Sequence, residues 1–84
     1  MGMHFLITGH TGFKGSWLTL MLSAAGHKVS GYSLDPEPGS HFERAELPAH
    51  LSSDIRGDIR DFASLNSAMA AVRPDAVFHL AAQP

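Results

Sequence analysis

The residues with the clearest chemistry are three glycines spaced by three, Gly9, Gly12 and Gly15, in Thr8-Gly9-His10-Thr11-Gly12-Phe13-Lys14-Gly15-Ser16-Trp17-Leu18. An apolar run, Phe5-Leu6-Ile7, precedes them, and a second, Trp17-Leu18-Thr19-Leu20-Met21-Leu22, follows. A glycine-rich turn between a buried strand and a helix can cradle phosphate, because the helix start offers unpaired backbone N–H groups and the positive end of the helix dipole. Without Cβ atoms there, a pyrophosphate can approach the main chain and the helix can pack closely on its strand. The amides of Phe13 and Lys14 are the expected donors and the Thr11 hydroxyl a further one. Lys14 itself reads either as a phosphate contact or as a solvated first-turn lysine.

A dinucleotide held this way also needs a partner for its adenosine ribose, an acid about 20 residues further on at the end of the second strand. Asp35 is the candidate, although it equally suits a turn before Pro36, and Ser33 occupies the position two residues earlier. No arginine directly follows that strand to hold a 2′-phosphate, which favours NAD over NADP.

Composition narrows the alternatives. The chain has 84 residues, 44% of them hydrophobic, no cysteine, and a formal charge of −2 with six Lys and Arg. That is one small domain, able to hide about 60–65% of its unfolded surface. The charge argues against a nucleic-acid binder relying on phosphate neutralisation. Lack of cysteine excludes disulfides and thiolate metal sites. The beginning, Met1-Gly2-Met3-His4, has no basic segment before a long apolar one, and no stretch reaches membrane-spanning length, so a cytoplasmic location and no membrane partner are expected. The histidines at 4, 10, 27, 41, 50 and 79 form no helical pair and have no carboxylate at ligand spacing, so no metal site is expected.

The elements that must position these residues follow from patterning. His4 to Thr8 predicts a first strand, and about Gly12 to Ala25 a helix ended by Gly26. Val29 to Leu34 predicts a second strand, in which Gly31 marks a close backbone approach. Asp35-Pro36-Glu37-Pro38-Gly39-Ser40 breaks regular structure. His41 to Leu51 reads as a surface loop or a short helix with Phe42, Ala45 and Leu47 inward, ended by Pro48. Ser53 to Gly57 is a short third strand. Asp61 caps a helix whose stripe is Phe62, Leu65, Met69 and Val72, with Arg73 in its last turn and Pro74 as its stop. Ala76 to Ala82 is a fourth strand, apolar on both faces. The fold class is therefore α/β, the N-terminal part of a Rossmann-type parallel sheet with order 3-2-1-4.

The glycine loop resembles the Thr-Gly-x-x-Gly-Phe-x-Gly loop of the extended short-chain dehydrogenase/reductase superfamily. Gly57-Asp58-Ile59-Arg60-Asp61 is similar to that superfamily's Gly-Asp-aliphatic-x-Asp segment, which implies that Asp58 hydrogen-bonds the adenine amino group and that Ile59 lies against the ring. Asp58 could instead be a turn residue, but Asp61 already fills the helix cap, which favours adenine binding for Asp58. His79-Leu80-Ala81-Ala82 resembles the superfamily's His-x-Ala-Ala, which implies that the cofactor lies against the main chain at Leu80, Ala81 and Ala82, with His79 structural. The wording of Gly-His-Thr-Gly-Phe-Lys-Gly-Ser-Trp-Leu, Gly-Tyr-Ser-Leu-Asp-Pro and Val-Phe-His-Leu-Ala-Ala-Gln-Pro further resembles the CDP-glucose 4,6-dehydratase family. That resemblance implies NAD as cofactor, hydride removal from C4 of the sugar, loss of water across C5 and C6, and return of the hydride to C6.

The superfamily's Tyr-x-x-x-Lys pair does not occur in these residues, since Tyr32 is followed four positions later by Pro36. The expectation is a cofactor-binding part with no catalytic residue of its own. Its catalytic half and nucleotide-sugar domain would lie outside 1–84, and its fourth strand would present an unpaired apolar edge that invites self-association. A nucleotide-sugar epimerase, or a non-catalytic nucleotide-binding module, are the alternatives.

Overall fold

The computed structural model describes residues 2–36 and 38–80. Four parallel strands form one sheet in the order β3-β2-β1-β4, with β1 at His4–Thr8, β2 at Lys28–Ser33, β3 at Ser53–Arg56 and β4 at Ala76–His79. Helix α1 (Phe13–Ala24) crosses from β1 to β2, and α3 (Phe62–Val72) from β3 to β4. Between β2 and β3 lie a single helical turn, α2 (His41–Arg44), and a 3-10 helix at Leu47–His50.

The in-register parallel pairs sort the side chains into two faces. On the face covered by α3, Leu6 and Tyr32 form a cluster with Ala68 and Val72, and Ile55, Ile59, Leu65 and Met69 pack around it. The Tyr32 hydroxyl donates to the Asp58 carbonyl and is within hydrogen-bond distance of Ser64 Oγ, each at 3.0 Å. It is thus fully enclosed and spent on tying β2 to the start of α3. Asp61 caps α3 by accepting from the Ser64 amide at 3.1 Å.

Several expectations change in detail. Phe62, expected in the α3 stripe, is 71% exposed, because the packing partners of this helix meet Leu65, Ala68, Met69 and Val72 instead. Arg73 is not in the last turn but is the left-handed residue that closes the helix, with φ 51°. The 41–51 segment is two short turns rather than one helix. Glu46 takes a left-handed conformation between them, and Pro48 lies at the start of the 3-10 helix, where its missing N–H costs nothing. Phe42 and Leu47 are buried as the pattern requires, and Ala45 is half-buried. Within the described residues β4 ends at His79 and lies at the sheet edge, and Val77 and Phe78 are exposed there. Positions 81 and 82 lie outside the described residues.

Candidate functional site

The glycine loop leaves β1 at the carboxyl edge of the sheet, beside the point where the chain order of the strands reverses. Ligands of open α/β sheets bind at such a crevice. Each glycine is there for a different reason. Gly9 has φ 81°, which side-chain-bearing residues rarely adopt, and its amide donates to the Tyr32 carbonyl at 3.0 Å. Gly15 is the contact between α1 and the loop: a Cβ there would stand 2.3 Å from the Gly9 carbonyl oxygen and 2.7 Å from His10 Cα. Gly12 has neither constraint. Its backbone is extended (φ −78°, ψ 172°), and a Cβ would meet only the Gly9 oxygen, at 3.4 Å.

Gly12 is also the N-cap of α1 and has no side chain to accept from the first turn. The amides of Phe13, Lys14 and Gly15 therefore point outward without an intrahelical acceptor. Phe13 is 67% exposed and Lys14 is exposed beside it. Bare amides, open space over Gly12 and the positive helix end fit an anionic diphosphate.

The first half of the loop is fastened to the sheet. The His10 ring is completely buried against Gly31, where any Cβ would stand 2.2 Å from the ring, so the close approach expected at Gly31 is made by this imidazole. His10 Nε2 lies 2.6 Å from Asp54 Oδ1. Asp54 in turn receives Arg56 Nε at 3.0 Å and Nη2 at 2.7 Å. Burial pushes the His10 pKa below 6.5, against the raising effect of the hydrogen bond to Asp54. Burial opposes the charge on Asp54, yet the hydrogen bonds from Arg56 and His10 outweigh it and hold its carboxyl below the ordinary value. The pair is therefore a neutral imidazole donating to a carboxylate. The Thr11 hydroxyl donates to the Leu34 carbonyl at 3.1 Å and lies 2.8 Å from Ser33 Oγ, so it ties the loop to the end of β2.

A model of the NAD dependent epimerase/dehydratase family matches residues 5–84. The chain belongs to this family. It is 51% identical over 84 residues to a CDP-glucose 4,6-dehydratase from Salmonella typhimurium, covering 99% of this chain and 23% of that protein. It is 40% identical to a UDP-glucose 4-epimerase from Mycolicibacterium smegmatis, over 96% of this chain and 26% of that protein. The crystal structure of Thermus thermophilus UDP-glucose 4-epimerase in complex with NAD superposes with a TM-score of 0.79 at 32% identity, over 96% of this chain and 24% of that one. The chain thus spans about a quarter of the length of the curated relatives it matches.

Against this family frame, the remaining residues fall into two groups. Asp58 sits after β3 with both carboxylate oxygens engaged by Arg60, through Nε at 3.0 and 3.1 Å, Nη2 at 2.6 Å and the Arg60 amide at 2.9 Å. The Arg60 side chain, then its amide, hold the Asp58 pKa down to about 2. Ile59 packs beside the α3 cluster and the Leu80 amide donates to the Thr8 carbonyl at 3.0 Å. Asp35, by contrast, does not stand at the strand end. β2 stops at Ser33, and the Asp35 side chain is 89% exposed with its Oδ1 3.4 Å from Arg56 Nη1. Sequence reasoning missed Arg56 and the His10–Asp54 pair. Their signal was present in Asp54-Ile55-Arg56, where two charges alternate with an apolar residue and so share the sheet face opposite to Ile55. His79, with Nδ1 2.7 Å from the Thr8 hydroxyl, joins β4 to β1.

Proposed function

We propose that residues 1–84 are the N-terminal part of a dinucleotide-binding domain in a nucleotide-sugar-modifying enzyme, and that Gly9 to Gly15 hold the pyrophosphate of NAD. One observation carries this reading: Gly12 lacks a side chain where neither its backbone angles nor its neighbours require that, directly above the free amides of α1. Bound NAD would supply the hydride acceptor. The protein's share is to present the Phe13 and Lys14 amides to the diphosphate, with Lys14 free to add its charge, and Asp58 and Ile59 to the adenine. Leu80, Ala81 and Ala82 are assigned to the ribose and phosphate of the cofactor, the last two lying outside the described residues. Thr11 acts by fixing the loop, since its hydroxyl is already engaged. The NAD-bound state of the Thermus thermophilus epimerase supports the cofactor assignment.

Within that class, dehydration of CDP-glucose to CDP-4-keto-6-deoxyglucose is the reading favoured by the 51% identity to the Salmonella dehydratase. The 40% identity to the mycobacterial epimerase, and the epimerase structure that superposes, favour sugar 4-epimerisation as the second reading. The acid–base residues of either reaction would come from outside 1–84, which leaves this part with binding alone. The full natural polypeptide carrying these residues, incubated with NAD⁺ and either CDP-glucose or UDP-glucose, separates the two. A product lighter by one water identifies the dehydratase, and one of unchanged mass with inverted C4 identifies the epimerase. A folded protein that binds no NAD⁺ by calorimetry overturns both.

A further inference from the structure

Dinucleotides with and without a 2′-phosphate are told apart at the end of the second strand, where an acid pairs with the free ribose hydroxyl or an arginine receives the phosphate. At that place β2 ends in Ser33, a neutral residue whose hydroxyl is 2.8 Å from that of Thr11 in the glycine loop. The arginine comes from the neighbouring strand. Arg56 is the Cα partner of Ser33 in the parallel register, so both side chains rise from the same face.

The geometry of Arg56 suits an anion arriving at Ser33. Asp54 grips Nε and Nη2, and the guanidinium carbon lies 5.1 Å from the centre of the Phe42 ring, which fixes the plane from behind. Nη1 remains, and among the described residues it meets Asp35 alone, at 3.4 Å. That contact is long, and a carboxylate 89% exposed to water contributes little to such a pair. A phosphate dianion offers three acceptor oxygens to the same N–H groups and to the Ser33 hydroxyl, and charge-assisted bonds of this kind are the stronger ones. Asp35, free to swing into solvent, would then be displaced.

We propose that Arg56 and Ser33 form a 2′-phosphate subsite, so that this chain accepts NADP⁺ as well as NAD⁺. The proposal rests on the reading above that the glycine loop holds a dinucleotide.

Calorimetric titration of the full natural polypeptide with NAD⁺ and with NADP⁺ tests it, the readout being the ratio of the two affinities in wild type and variants. Arg56→Met keeps an apolar stem against Phe42 and is expected to shift the ratio toward NAD⁺ by about tenfold or more, through loss of NADP⁺ affinity. Ser33→Asp, which leaves the Asp54–Arg56 pair intact, is expected to shift it the same way and is decisive if the arginine variant does not fold. A change in the ratio of less than about threefold in the folded variant overturns the proposal, as does a wild type that binds NAD⁺ but no NADP⁺. A folded wild type that binds neither dinucleotide overturns instead the reading of the glycine loop.

Discussion

Residues 9–11 and residues 12–15 belong to one loop, yet the chain treats them in opposite ways. The first half is fastened to the sheet: Gly9 to the Tyr32 carbonyl, His10 through Nε2 to Asp54, and Thr11 to Ser33 and Leu34, while the buried His10 Nδ1 has no hydrogen-bond partner among the described residues. In the second half the Gly12 amide turns back to the Gly9 carbonyl at 3.1 Å, but the amides of Phe13, Lys14 and Gly15 have no intrahelical acceptor and Gly12 carries no side chain over them. The anchored half spends hydrogen bonds on rigidity so that the open half can present its donors in fixed positions, which is what preorganised anion binding requires.

The sharpest way to probe that contrast is to add one methyl group at either end of the second half, where Gly15 packs on the anchored backbone and Gly12 does not. Gly15→Ala places a carbon against the Gly9 carbonyl, and both neighbours are backbone that cannot turn aside. A loss of about 3 kcal/mol is expected, although alanine gains about 1 kcal/mol over glycine at an open helix position. Gly12→Ala should cost about 1 kcal/mol or less in stability, since the N-cap already lacks a side-chain acceptor, while weakening dinucleotide binding about tenfold or more. Urea denaturation and calorimetry of both variants give the two numbers. Equal losses of stability would mean that the two glycines serve the same purpose.

How much of this was legible beforehand depends on what kind of signal each residue left. Apolar runs mark β1, β2 and β4 and three-and-four periodicity marks α3, signals that report burial directly, whereas the short, less apolar β3 and the 3-2-1-4 order follow from the alternation of strands and helices along the chain. Gly31 was legible as a close approach, but not what approaches, because His10 reaches it across the sheet from 21 positions away in the chain. The same limit hid Arg56: along the chain no arginine directly follows β2, and only strand pairing brings one beside Ser33. Phe62 fitted its stripe by spacing and still lies outside, since periodicity says which side of a helix faces inward but not how far along the helix the core extends. Local patterns encoded the elements, while the contacts around the site are long-range pairs between them.

Within the anchored half, His10 should matter most. His10→Ala removes a ring packed on Gly31 and leaves Asp54 without one partner, at an expected cost of about 2–4 kcal/mol by urea denaturation. His10→Gln, which can still donate to Asp54 but does not titrate, isolates the effect of pH. Because the folded ring has a pKa below 6.5, the unfolded chain takes up its proton first as pH falls. Stability contributed by the neutral ring is thus complete above about pH 6.5 and declines as acidification proceeds toward the folded pKa. The wild type should lose more stability than His10→Gln between pH 7.5 and 5.5, and parallel curves would show that the buried imidazole is not the titrating group.

Thr11 gives the smallest expected effect. Thr11→Val preserves shape and removes only the hydroxyl that links Ser33 Oγ and the Leu34 carbonyl. The expected cost is about 1 kcal/mol, the net worth of one neutral hydrogen bond. Among the described residues the loop would then be held at its sheet side by Gly9 and His10, and dinucleotide affinity should fall modestly and equally for NAD⁺ and NADP⁺. Loss of NADP⁺ affinity alone in this variant would mean that Thr11 also touches the 2′ position, which would move the boundary between the anchored and the open halves one residue earlier.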